Sequence, residues 1–198
     1  MEITKNDIIQ LVTESVNEVL SCLGASYYNG TDIRKLAHLV KRGDVGAIKK
    51  AAEILHKYVP VNSILIPIPS HGGKSTYTKV LAKELANMSR ARVMDILRSE
   101  PREMLYKSKK LGGDPGSVDL KFMGINGNVE KIKQILHTAS NVILIDNVVD
   151  SGVTYEQAHR KILELYGVDA WMLSLGVVEK SEHDPGESRV IRSIIPYE

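Results

Sequence analysis

The chain has 198 residues, a net charge of +2, and hydrophobic residues at 43% of positions. That is enough for one α/β domain with a substantial core, and too short for two full ones. So small a net charge excludes the global basic field of a nucleic-acid binder, which makes nucleic acid an unexpected partner and any anion site a local one. A single cysteine, Cys22, excludes an intrachain disulfide and a multi-cysteine zinc site, and favours a reducing compartment. The opening residues M-E-I-T-K-N-D do not lead from a basic run into an apolar core, and no run is as long as a membrane span. A soluble, cytoplasmic protein with no membrane contact is expected.

Ile8, Leu11, Val12, Val16, Val19, Leu20 and Leu23 recur at helical spacing and predict an amphipathic first helix ended by Gly24. A second helix starts at Thr31 or Asp32 and carries Ile33, Leu36, Ala37 and Leu39. A third runs from Val45 to Tyr58, before Pro60. These make residues 1–60 a helical N-terminal segment packed on a core of residues 61–198. The core begins with a strand from Ser63 to Ile68, a helix from about Ser75 to Met88, and a strand from Ala91 to Leu97. Between Arg98 and Val118 the apolar period fades and Arg98, Arg102, Lys107, Lys109 and Lys110 crowd together, as in a functional loop or a solvated surface.

A helix over Val129 to His137 precedes the strand Val142 to Ile145. A helix from Tyr155 to Leu165, a strand from Ala170 to Val178 and an extended piece over Val190 to Ile195 complete the chain. Alternating strands and helices predict an α/β fold: a doubly wound, mostly parallel sheet flanked by helices. Trp171 and Phe122 read as core residues, leaving Tyr155 or an aliphatic side chain for any stacking on a base.

Two stretches carry chemistry. In V-I-L-I-D-N-V-V-D-S-G-V-T, Val142 to Thr154, an apolar strand runs into Asp146, Asn147 and Asp150. Ser151, Gly152 and Thr154 then lead into a helix whose N-terminal N–H groups suit an anion. The plain alternative is a turn in which Asp150 or Ser151 caps the helix. In I-L-I-P-I-P-S-H-G-G-K-S-T, Ile64 to Thr76, a second strand meets a second Gly-containing turn. G-G-K-S-T is not a Walker A loop, because that motif needs glycine where Ile68 stands. Two anion-shaped loops on one sheet suggest one ligand with two phosphate ends.

The Val142 to Thr154 stretch resembles the ribose-phosphate loop of type I phosphoribosyltransferases. Ile33 to His56, with its Lys-Arg-Gly-Asp segment, followed by the Pro-x-Pro strand end, is similar to the ComF branch of that family. The resemblance runs from about Ile33 to Val178. The ComF zinc cysteines are absent, so a role in DNA uptake is not implied.

The resemblance implies a type I phosphoribosyltransferase fold and transfer of ribose 5-phosphate from phosphoribosyl pyrophosphate (PRPP) to a nitrogen base, with Mg²⁺ bound alongside PRPP. Asp146 and Asn147 would orient the ribose, with Asp146 meeting Mg²⁺ directly or through water. Asp150, Ser151, Gly152, Val153 and Thr154 would hold the 5′-phosphate. Ser70, His71, Gly72, Gly73 and Lys74 would hold the pyrophosphate. D-S-G-x-T is similar to the loop of 6-oxopurine enzymes, which implies a purine-like acceptor, with Asp150 and Asp146 as the catalytic residues and Asp150 the base. Lys180 resembles their base-binding lysine, although a surface lysine reads equally well. Lys107, Lys109 and Lys110 are candidates for a closing lid. The family departure is Asn147, where many members have a second acid; it leaves open a weak or inactive PRPP- or nucleotide-binding regulator of the same fold. Homodimers are common in the family and are expected here.

Overall fold

Val142 to Ile145 are β-branched or bulky and lack polar atoms on either side, so they are stable only where both faces of a strand are covered. A computed structural model of the chain describes residues 20–27, 31–102, 119–125, 127–178 and 190–195. Its main sheet has six strands: β1 (Leu20–Ser26), β2 (Ser63–Pro67), β3 (Arg92–Val93), β6 (Asn141–Val149), β7 (Trp171–Val177) and β8 (Val190–Ile195). They lie in the order β3-β2-β6-β7-β1-β8, and every neighbouring pair is parallel. A two-stranded antiparallel ribbon, β4 (Leu97–Ser99) with β5 (Phe122–Gly124), stands apart.

The helices are α1 (Thr31–Lys41), α2 (Val45–Leu55), α3 (Tyr77–Ser89), α4 (Val129–His137) and α5 (Val153–Tyr166). Asp44 caps α2 through Ala47 N–H at 2.7 Å, and Asn128 caps α4 through Lys131 N–H at 3.0 Å. Successive β6 side chains point to opposite faces. Ile143 and Ile145 pack with Leu65, Leu173 and helices α1 to α3, whereas Val142 and Leu144 pack with Ile64, Met172, Phe122 and helix α5. No described helix is long and apolar enough to cross a membrane.

The expected parallel α/β architecture is present, with three differences. From Leu20 the chain is strand, not helix: L-S-C-L-G-A-S lies between β7 and β8. Its small residues let the backbone pass through a crowded sheet, and cross-strand packing overrides a helical period carried only by its two leucines. Residues 1–60 are therefore not a purely helical addition, since they supply an internal strand. The rest of the predicted first helix, 8–19, lies outside the described residues. The strand expected over Ala91 to Leu97 is reduced to β3, because Asp95 is drawn into a polar knot with Ser75, Lys79 and Arg98, and Leu97 onward pairs with β5 instead. β6 runs on past Ile145 to Val149, because β7 still pairs there through Asp146 with Ser174 and Val149 with Val177.

The connection from β2 through α3 leads to one edge of the sheet, and that from β6 through α5 leads the other way. Between β2 and β6 the strand order reverses, and a crevice opens beyond the carboxyl ends, where ligands of such sheets bind. The last link between the two strands is Ile68 N–H to the Ile145 carbonyl at 3.0 Å. The next residues on both chains are the two predicted loops.

Candidate functional site at the strand reversal

A cavity of about 510 Å³ occupies this crevice, lined by Ser70 and His71, by Asp146 to Gly152, by Thr154, and by Tyr27, Arg34, His38, Lys41, Tyr77 and Arg102. On one side Gly152 takes φ +85° and turns the chain into α5. A side chain at that φ is strained, which suits glycine. The residue that opens α5 is Gly152, which has no side chain to cap the helix, and with Thr154 it lines the cavity beside the positive end of the helix dipole.

The opposite loop is held by its own hydrogen bonds. Gly73 N–H donates to the Ser70 carbonyl at 2.9 Å, and Ser70 Oγ donates to the Lys74 carbonyl at 3.0 Å. Gly73 has φ +83°, and a β carbon there would overlap the Ser99 carbonyl oxygen. The loop is also sewn to the ribbon by Ser99 N–H to Gly73 carbonyl (3.1 Å) and Arg102 N–H to His71 carbonyl (2.9 Å). Ser70 and His71 reach the cavity, whereas Gly72, Gly73 and Lys74 shape the loop behind them. Gly73→Ala is expected to cost about 1–3 kcal/mol of stability, since it combines a strained φ with a backbone collision. Thermal unfolding checks this, with a fall of roughly 2–4 °C expected per kcal/mol.

Below this loop, Asp95 accepts from Ser75 Oγ, pairs with Lys79 at 2.9 Å and with Arg98 at 2.6 Å. Burial alone would push its pKa up, but the bonds from Arg98, Ser75 and Lys79 outweigh it and hold the carboxyl below its usual range. The knot fixes the start of α3 and the ribbon against one another.

Between the loops lies Asp146, 9% exposed, its Oδ1 accepting from Asn147 N–H at 2.7 Å. Burial raises its pKa to about 6, against the pull of that hydrogen bond and of Lys41 and Arg102. Burial and the Asp146 charge push the Tyr77 phenol up as well, keeping it a neutral hydroxyl. Arg102, half-buried beside them, is pushed down by desolvation and supported by Asp146 and Tyr77.

Asn147 points to the other face of β6, where Nδ2 donates to the Ala37 carbonyl of α1 at 3.4 Å. A carboxylate has no donor for that carbonyl. Asn147→Asp is therefore expected to lose the tether, set a second buried acid next to Asp146, and destabilise by about 1–3 kcal/mol at pH 8. The loss should shrink at pH 5, because burial raises the new carboxyl's pKa and its protonated form regains an O–H donor. Unfolding at the two pH values measures both effects.

The described residues contain no cluster of three or more His, Cys, Asp or Glu able to hold a metal ion. Asp146 is a carboxylate lining the cavity, an oxygen ligand of the kind that would suit an Mg²⁺ ion keeping water as most of its other ligands. Tyr155 is not a stacking platform: it is 1% exposed, and its hydroxyl donates to the Ala170 carbonyl at 3.1 Å. Phe122 is core, as expected, and Trp171 is partly buried against the α1–α3 face. Lys107, Lys109, Lys110 and Lys180 lie outside the described residues.

Sequence reasoning missed Tyr27, Arg34, His38, Lys41, Tyr77 and Arg102 as cavity residues. The 34, 38, 41 spacing was the available signal, since it sets three basic side chains along one side of α1 beside its buried Ile33, Ala37 and Val40. Compared with known proteins, the chain matches no protein-family model and no curated protein.

Proposed function

We propose that the protein is a cytoplasmic, homodimeric type I phosphoribosyltransferase that moves ribose 5-phosphate from PRPP to a nitrogen base of purine-like shape. The observation that carries this reading is the pairing of two anion-suited loops on either side of one buried acid, Asp146, in a single cavity at the strand reversal. The α5 N-terminus and the Asp150 to Thr154 turn take the 5′-phosphate. Ser70, His71 and Arg102 take the pyrophosphate, and Asp146 takes the ribose hydroxyls.

In the reaction the lone pair of a ring nitrogen forms the bond to ribose C1. The C1–O bond to pyrophosphate breaks, and its electron pair leaves on pyrophosphate. The nitrogen's proton passes to the Asp150 carboxylate, which lines the cavity at the mouth of the turn. Positive charge gathers on the ribose ring near Asp146, and negative charge gathers near Arg102 and His71, so each develops beside its complement. Mg²⁺ bound with PRPP would neutralise part of the leaving group's charge. Tyr77 and Val149 help to keep water from the ring cation.

A second reading, a PRPP- or nucleotide-binding regulator without turnover, is favoured by one contact: Asn147 spends its amide on Ala37, leaving one acid for the ribose. Recording pyrophosphate release from PRPP·Mg²⁺ with a panel of bases separates the two. Release with one class of base is expected; saturable binding without release from any base would favour the regulator.

A further inference from the structure

Helix α1 presents two adjoining stripes. Ile33, Leu36, Ala37 and Val40 are buried in the core, and Arg34, His38 and Lys41 line the cavity. Steps of four and three residues stack the latter along one side of two helical turns. The row is held in place at its middle by the Asn147 to Ala37 hydrogen bond. At its start, the Arg34 guanidinium stands over the Tyr27 ring, 6.0 Å from the centroid. Tyr27 is seated in turn: its N–H donates to the Val177 carbonyl at 3.0 Å, and its ring edge lies against Gly176, where a β carbon would come within 2.8 Å of Cδ2.

The two phosphate ends of PRPP are already provided for by the α5 turn and the Ser70–His71 loop. In the rest of the cavity, beside apolar residues such as Val149 and Val178, the wall made by α1 and Tyr27 brings an aromatic ring and basic side chains together for the acceptor. It offers a planar ring, a guanidinium over that ring, and two further basic side chains. The geometry points to an acceptor that is a planar nitrogen heterocycle bearing a negative charge, a ring carboxylate or an ionised imide, lying along Tyr27 with its anionic edge toward Arg34.

This inference rests on the transferase reading and names the class of its acceptor. The planar fork of arginine pairs with a carboxylate or imide edge through two parallel hydrogen bonds, which a neutral edge satisfies less well. An anionic acceptor must also approach PRPP, itself several times negative, and Arg34 and Lys41 in this row supply the cations that make the approach favourable. The bonds made and broken are those of the transfer already described.

Matched pairs test it: orotate against uracil, and urate against hypoxanthine, titrated calorimetrically at pH 7 into the full chain, both alone and with PRPP·Mg²⁺. Each anionic member is expected to bind at least about tenfold more tightly than its neutral partner. Arg34→Gln should remove most of that difference and leave PRPP affinity within about twofold; Arg34→Lys, which keeps the charge and loses the fork, should restore part of it. Equal or weaker binding of the anionic members overturns the inference, and so does the binding of no heterocycle. An Arg34→Gln protein that loses PRPP as strongly as the acceptor also overturns it, because the row would then be a phosphate contact. If PRPP fails to bind while charge-selective, Arg34-dependent heterocycle binding persists, the transferase reading falls and the anionic site stands.

Discussion

Asp150→Asn is expected to lower pyrophosphate release by about two to four orders of magnitude, while PRPP·Mg²⁺ binds within about threefold of the unaltered protein. Asn keeps the size of Asp and one side-chain oxygen acceptor, so the approach to α5 is preserved. What it loses is the ability to accept a proton from the attacking nitrogen. The expected fall corresponds to about 3–5 kcal/mol of transition-state stabilisation, far more than a hydrogen bond on an open turn contributes to ligand binding. Single-turnover kinetics and calorimetry on the same variant separate the two. Parallel loss of binding and turnover would assign Asp150 to the phosphate turn and deny it the role of base.

Asp146→Asn should move stability and function in opposite directions. The Asp146 carboxyl titrates near 6 in the folded chain against an ordinary 3.8, because burial disfavours its charge. The folded state therefore keeps a proton that the unfolded chain releases. Its contribution is fully present below about pH 4 and is lost as pH rises through about 6, an effect on the order of 3 kcal/mol at most. Asp95 and Asp169 are shifted down, Asp169 chiefly by the His159 side chain at 2.7 Å, so their contributions vanish only at more acid pH and do not mask this window. The variant should thus unfold at a higher temperature than the parent at pH 7.5, and at nearly the same temperature at pH 4.5. PRPP·Mg²⁺ affinity should fall at least tenfold, since in the proposed reading the buried charge that burdens the fold is the one that meets the ribose and its ion. A parent whose unfolding midpoint stays level between pH 4.5 and 7.5 would contradict this account of Asp146.

Elements around the candidate site were legible in the sequence where local chemistry dictates structure. Val129 to His137 forms the predicted helix to the residue, because Asn128 caps it and Ile132 and Leu136 give it one buried side. Gly152 and the residues around it declare a strand-to-helix turn, since few other sequences reverse direction there without strain. What the sequence concealed depends on long-range contact. Leu20 to Ser26 becomes a strand only because β7 and β8 flank it. Arg34, His38 and Lys41 reach the cavity on α1, which Asn147, more than a hundred positions away, anchors across the strand end, and Tyr27 reaches it from its seat against Gly176 and Val177. Asp146 and Asn147 lie within β6 rather than after it, because β7 continues the pairing that β2 gives up at Ile145.

The measurement closest to the central claim is calorimetric titration of PRPP with Mg²⁺ against its two halves, ribose 5-phosphate and pyrophosphate. One cavity holding both ends predicts a single saturable site for PRPP, with each half competing for it and binding at least about a hundredfold more weakly. PRPP that fails to bind, or that binds no better than either half, would contradict the assignment of the two loops to one ligand.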